Sequence, residues 1–168
     1  MKLIKPSMAY QSSYLSYIAE LGDENRHPFP LDFAHRDFAA LLQKIQAYED
    51  GVDLPESFEP SSTFWLIEGD EIIGMSNLRH RLNDVLRHSG GHIGLGIRPS
   101  RRGQGLGSEL LRLTLEQAWK RGINPVQVHC YEHNHASAGM IQANGGLLDS
   151  TITDEDGHRV QRYVIDLE

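Results

Sequence analysis

The run Gly94-Leu95-Gly96-Ile97-Arg98-Pro99-Ser100-Arg101-Arg102-Gly103-Gln104-Gly105-Leu106-Gly107-Ser108 constrains the chain more than any other stretch. It reads as a strand, ended by Pro99, that turns through glycines into a helix. The first backbone N–H groups of a helix have no intrahelical partner, and the helix dipole adds partial positive charge there. Glycine at 103, 105 and 107 removes the Cβ atoms that would keep a ligand off the backbone. This combination suits an anion, and a pyrophosphate in particular. Two familiar glycine motifs do not fit. No Gly-Lys-Ser/Thr follows the glycines, which excludes an ATP-binding P-loop. Position 108 is not a third glycine and no βαβ unit comes before the turn, which argues against a dinucleotide fold.

The periodicity of the remaining chain sets the frame around that turn. Residues 2–7 are expected as a short strand, and residues 11–21 and 31–48 as helices with apolar side chains at helical spacing. Residues 49–62 read as a loop, broken by Gly51, Pro55 and Pro60. Two β-prone runs, 63–68 and 71–78, flank Gly69-Asp70 as a hairpin. Residues 91–97 form the strand before the glycine turn. The helix after it covers 105–121, with Leu106, Leu110, Leu111, Leu113 and Leu115 along an apolar stripe. A strand over 126–131, a short helix over 135–143 stopped by Asn144-Gly145-Gly146, and strands over 148–153 and 159–166 complete the chain. The expected fold class is α/β (α+β): a mixed, mostly antiparallel central sheet of about six to seven strands flanked by helices. With no repeat or linker, and at 168 residues, residues 1–168 are expected to form a single domain.

Charge narrows the function. The formal net charge of −7 argues against a nucleic-acid partner, which needs a basic footprint. No apolar run is long enough to span a bilayer, so no membrane partner is expected. One cysteine, Cys130, cannot form an internal disulfide, and a cytoplasmic location is the expectation. Between Glu49 and Glu71 there are eight acidic residues and no lysine or arginine, whereas Arg98 to Arg121 holds six basic residues against two acidic ones. The basic stretch brackets the glycine turn; the acidic one, if it borders a substrate entrance, would draw a cationic acceptor.

The spacing Arg102-x-x-Gly105-x-Gly107, with the strand before it, the leucine-striped helix after it, the next strand and Asn134 opening a short helix, resembles the GCN5-related N-acetyltransferase (GNAT) family. That resemblance covers residues 63–167. It implies acetyl-CoA as co-substrate. The pantetheine arm would pair with Leu95, Gly96 and Ile97. The pyrophosphate would rest on the backbone of Arg102, Gly103, Gln104, Gly105, Leu106, Gly107 and Ser108, and Asn134 would contact the pantetheine. Asn134 fits a helix N-cap equally well, and the two roles are compatible.

The implied reaction is direct attack of a primary amine on the thioester, with backbone N–H groups near Ile97 polarising the carbonyl. A lysine-like amine must first lose a proton at a cost of about 4–5 kcal/mol at pH 7, so a base is expected. His92 and Glu132 are the candidates. Many family members place a tyrosine seven residues after the asparagine to protonate the departing thiolate; here that position is Ile141, leaving Ser137 or a water. The cluster His129-Cys130-Tyr131-Glu132-His133 lacks paired zinc spacings elsewhere, so no metal is expected. The acceptor is a small-molecule or peptide amine, and a homodimer is compatible with the sequence. The alternative reading is a non-catalytic acetyl-CoA-binding sensor or partner-binding module, favoured by Ile141 standing where the family has its acid.

Overall fold

A computed structural model describes residues 1–168. After strand β1 (Lys2–Ile4) come helices α1 (Gln11–Leu21) and α2 (Phe38–Asp50), then β2 (Ser61–Glu68), β3 (Glu71–Arg79), the one-turn helix α3 (Asp84–His88) and β4 (Ile93–Ile97). The second half holds α4 (Leu106–Lys120), β5 (Val126–Tyr131), α5 (His135–Ala143), β6 (Leu147–Thr153) and β7 (Arg159–Ile165).

The helix expected over 31–48 is two pieces. Residues Phe29–Asp32 make a single 3₁₀ turn around Pro30, and a fresh helix begins after Asp37, whose side chain accepts the Ala40 N–H at 3.0 Å. A capping carboxylate outweighs apolar spacing in choosing where a helix starts. Gly51, at φ 73°, closes α2 in the left-handed conformation. Helix α3, absent from the sequence reading, is only five residues long and is capped by Asn83, which accepts the Leu86 N–H at 2.9 Å.

The strands form two antiparallel sheets, β1-β2-β3-β4 and β5-β7-β6, rather than one continuous sheet. Their main chains are joined by one isolated bridge, where Gly91 pairs with Val128 and the His92 N–H donates to the Gln127 carbonyl at 2.8 Å. Beyond it β4 and β5 part, and the gap between them holds the site.

The first sheet is covered on both faces, which explains why β2 and β3 read as nearly unbroken apolar runs. On one face Trp65, Ile67, Ile72 and Met75 pack with Tyr14 and Tyr17 of α1 and Phe38, Leu41 and Ile45 of α2. On the other, Phe64, Leu66, Ile73 and Leu78 meet the α4 leucines. Where α4 crosses β3, the buried Ser76 hydroxyl bonds the Thr114 hydroxyl at 2.7 Å, and Thr114 Oγ1 donates in turn to the Leu110 carbonyl at 2.7 Å. No helix is long and apolar enough to cross a membrane.

Candidate active site

Gly105 is the N-cap of α4 at φ 75°, with no side chain capping the helix. The backbone N–H groups of Gly103, Gln104, Gly105, Leu106, Gly107 and Ser108 therefore make no hydrogen bond within the protein. Such a concentration of unpaired donors at a helix N-terminus is an anion cradle. At Gly107 a Cβ would stand 3.1 Å from Met140 Sδ, so a side chain there would fill the cleft between α4 and α5. Asn144, at the end of α5, fixes that cleft: its Nδ2 donates to Ser108 O and Ser108 Oγ, both at 3.1 Å.

The arginines around the turn are mostly neutralised. Arg98 is buried between Glu20 and Glu71 at 3.2 and 3.3 Å, and Arg101 pairs with Glu71 at 2.6 Å and Glu68 at 3.2 Å. Arg102 reaches Glu24 at 2.9 Å while its Nε donates to Ile97 O at 2.9 Å. The cradle's positive potential thus comes chiefly from main-chain N–H groups.

Two cavities meet in the gap between β4 and β5. The larger, about 890 Å³, runs along Leu95, Gly96 and Ile97 to Arg102, Gly103, Gly105, Leu106, Gly107 and Ser108; Gln104 is exposed and does not line it. The smaller, about 310 Å³, is walled by Pro28, Phe29, Arg79, Ile93, Val128 and His129 among others. His27, Leu95, Tyr131, Asn134, Ser137 and Met140 line both and so mark their junction. The pairs Arg79–His92 and Arg98–Ile73 set the hydrogen-bonding parity of β3 and β4, so the N–H groups of Leu95 and Ile97 face away from β3, towards the gap. Asn134 caps α5 through Oδ1, which accepts the Ser137 N–H at 3.1 Å, and its Nδ2 has no protein partner.

The two expected bases stand apart from this junction. His92 is buried, its Nδ1 accepts the Gln127 N–H at 2.9 Å, and it lines neither cavity. Burial, reinforced by Arg79 and Arg87, pushes its pKa down to about 4. Glu132 lies outside both cavities and faces Arg159 at 3.5 Å. Ile141 is fully buried. At the junction, sequence reasoning missed two side chains. His27, exposed at the cavity mouth, presents a ring with no protein hydrogen bond, held below the usual histidine pKa by partial desolvation among the surrounding atoms and by Arg79. Tyr131 ends β5 with its hydroxyl free of protein partners. Its place just before Asn134 was the available signal; His27, in the loop after α1, carried none.

The acidic stretch does not border the site. Glu49 is engaged by Lys5, Ser62 and Arg121, Glu59 by Arg81, and Glu68 and Glu71 by Arg101, and none of the eight lines either cavity. These pairs neutralise four of the eight; Asp50, Asp53, Glu56 and Asp70 have no cationic partner but, lining neither cavity, do not face the acceptor.

A search of curated proteins gives no match. Among solved structures, the chain is similar to the Salmonella typhimurium acetyltransferase that modifies the N-terminal serine of ribosomal protein L7/L12 (TM-score 0.70, 14% identity, covering 99% of this chain and 94% of that one). It is similar to the spermidine N-acetyltransferase SpeG of Vibrio cholerae (TM-score 0.67, 13% identity, 99% and 95% covered). It is also similar to YncA of Salmonella typhimurium, solved with acetyl-CoA (TM-score 0.66, 14% identity, 99% and 94% covered). These likenesses show the fold. The model of the acetyltransferase (GNAT) family matches residues 18–145, most of the chain and the whole glycine cradle, and the protein belongs to that family.

Proposed function

We propose that this acetyl-CoA-dependent N-acetyltransferase holds its co-substrate in the larger cavity and receives the acceptor amine from the smaller one, so that the two meet beside His27 and Tyr131. The observation that carries this reading is the run of unpaired N–H groups from Gly103 to Ser108, opening onto a cavity that joins a second at the end of β5. Arg102 to Ser108 would hold the pyrophosphate. Leu95 to Ile97, Asn134 Nδ2 and Ser137 would hold the pantetheine arm. Bound there, acetyl-CoA supplies an activated acetyl group.

The chain's own residues handle protons and charge. The N–H groups of Leu95 and Ile97 face the gap and stabilise negative charge developing on the acetyl oxygen. His27, its pKa lowered by partial desolvation and by Arg79, takes the proton that the acceptor amine must lose. The Tyr131 hydroxyl gives a proton to the departing sulfur, the task for which Ile141 has no group. His92 then acts through the strands, fixing β4 against β5, and Glu132 has no part in the chemistry. The whole chain works as one domain, in the cytoplasm.

The test is acetyl-CoA binding and turnover by the intact protein and by Gly105→Val. A ligand at 100 times its dissociation constant adds about 2.7 kcal/mol, a melting shift of about 5–10 °C for a chain of this size. The shift should appear in the native protein and vanish in Gly105→Val, and an amine panel should release free thiol. Binding without turnover of any amine would instead leave the non-catalytic sensor.

A further inference from the structure

The smaller cavity carries more positive charge than the acetyl-transfer reading needs, which asks of it only that Arg79 help keep His27 neutral. Its charged lining residues are Arg26 and Arg79, and no aspartate or glutamate lines it. Eight of the twelve arginines have carboxylate partners; Arg26, Arg36, Arg79 and Arg162 do not, and two of these four share this one cavity. Arg79 stands at the end of β3, part-buried, with its guanidinium carbon 5.9 Å from the Phe29 ring centroid. Its Nη1 donates to the carbonyls of Gly90 and Gly91 at 3.2 and 3.0 Å, and its Nε and Nη2 have no protein acceptor. Arg26 makes one long hydrogen bond, to Glu24 O at 3.4 Å, and no ion pair.

A third group on the same wall also lacks a partner. His129 Nδ1 accepts the Gly90 N–H at 3.0 Å, so the neutral ring carries its hydrogen on Nε2. That Nε2 is buried with no acceptor. One cavity therefore gathers unspent cationic and neutral donors and offers no anion to meet them. Partly desolvated arginine without a counter-charge is unfavourable, and its Nε–Nη2 edge matches a planar carboxylate.

We propose that the acceptor is a small amine bearing a carboxylate, of the amino-acid class, whose carboxylate is held by Arg79 with Arg26 and His129. This rests on the acetyl-transfer reading above. The cavity, about 310 Å³, is of small-molecule size, and Pro28, Phe29, Ile93 and Val128 give it apolar walls for the rest of the ligand. A polyamine would meet two arginines and no carboxylate.

The experiment compares matched acceptors with the native enzyme: phenylalanine, phenylalaninamide and phenethylamine, with each kcat/KM expressed per unprotonated amine. The acid should exceed both uncharged partners by about 30-fold or more, the scale of a charge-assisted contact, and spermidine should not turn over. Arg79→Gln should cut the acid's advantage over phenethylamine to a few-fold, whatever its effect on the two absolute rates through His27, and Arg79→Lys should restore part of that advantage. The acetyl-CoA melting shift checks that these variants fold; if they do not, Arg26→Ala should reduce the advantage several-fold. Exchanging β-alanine for 2-aminoethylphosphonate tells a carboxylate site from a phosphonate site, and preference for the phosphonate overturns the carboxylate assignment. Equal or better use of the amide, the plain amine or spermidine overturns the proposal. If acetyl-CoA binds and no amine reacts, acetyl transfer is what fails. Calorimetry with N-acetylphenylalanine against its amide then decides the anion site by itself: tighter binding of the acid supports it, and equal binding overturns it.

Discussion

The imidazole Nδ1 of His92 accepts the backbone N–H of Gln127 at 2.9 Å, while the His92 N–H donates to the Gln127 carbonyl at 2.8 Å. This two-way contact joins the sheets at the base of the gap, and His129 repeats the pattern by accepting the Gly90 N–H at 3.0 Å. Both rings must be neutral to accept these bonds, and burial, with Arg79 among the reinforcing charges, takes both to about 4.

Stability should therefore depend on pH in a defined window. An unfolded histidine titrates near 6.5, so between about 6.5 and 4 the unfolded chain binds more protons and stability falls as pH falls. Above that window the contribution is fully present. Urea unfolding should show a plateau above pH 7 and a decline towards pH 4, each histidine contributing about 2–3 kcal/mol of it. His92→Ala should flatten part of the decline and lower stability at pH 7 by about 1–3 kcal/mol, because the Gln127 N–H loses its acceptor. An unaltered slope in that variant would refute the clamp.

The junction residues separate by their kinetics. His27→Gln should lower kcat by about 10²–10⁴-fold and remove the acid limb of the pH–rate profile, which His27 places below the ordinary histidine range. Tyr131→Phe should lower kcat with the acetyl-CoA melting shift retained. His92→Ala, by contrast, should keep the native pH–rate profile. A lost limb in His92→Ala would return the role of base to His92.

Glu49 supplies a second pH signature, of opposite origin. Burial raises its carboxyl, but hydrogen bonds from Lys5, Ser62 and Gln46 and the Lys5 charge outweigh it and bring the group down to about 2. Its stabilisation is present above about pH 4.3, the unfolded value, and is lost as pH falls towards 2. Glu49→Gln should lower stability by about 1–2 kcal/mol at pH 7, discounted because Lys5 is half-exposed. The difference from the native protein should close near pH 2 in acid titrations followed by circular dichroism.

The cradle was legible in the sequence because its working parts are local. Gly103, Gly105 and Gly107 lie within five residues and act through their own main chain, and the α4 leucines follow one periodic stripe. Asn134 was legible for the same reason, since a cap and its helix are neighbours. Arg79, His27 and His129 were not legible as one wall. The β3–β4 register brings Arg79 beside His92, the contact between the sheets brings His129 to Gly90, and His27 lies against Gly96. The acidic stretch misled because charge counted along a chain ignores partners: Lys5, Arg81, Arg101 and Arg121 come from distant elements to meet it. The division of the sheet was equally hidden, since β4 and β5 have ordinary strand patterns and differ only in losing each other after one main-chain bridge.

The most direct test of the cradle is a backbone amide NMR titration with coenzyme A and, separately, with pantetheine, which lacks the pyrophosphate. The account predicts that the amides of Gly103 to Ser108 move strongly with coenzyme A and hardly at all with pantetheine, while Leu95, Ile97 and Tyr131 respond to both. Amides 103–108 that stay still at saturating coenzyme A, or that respond equally to the two ligands, would contradict it.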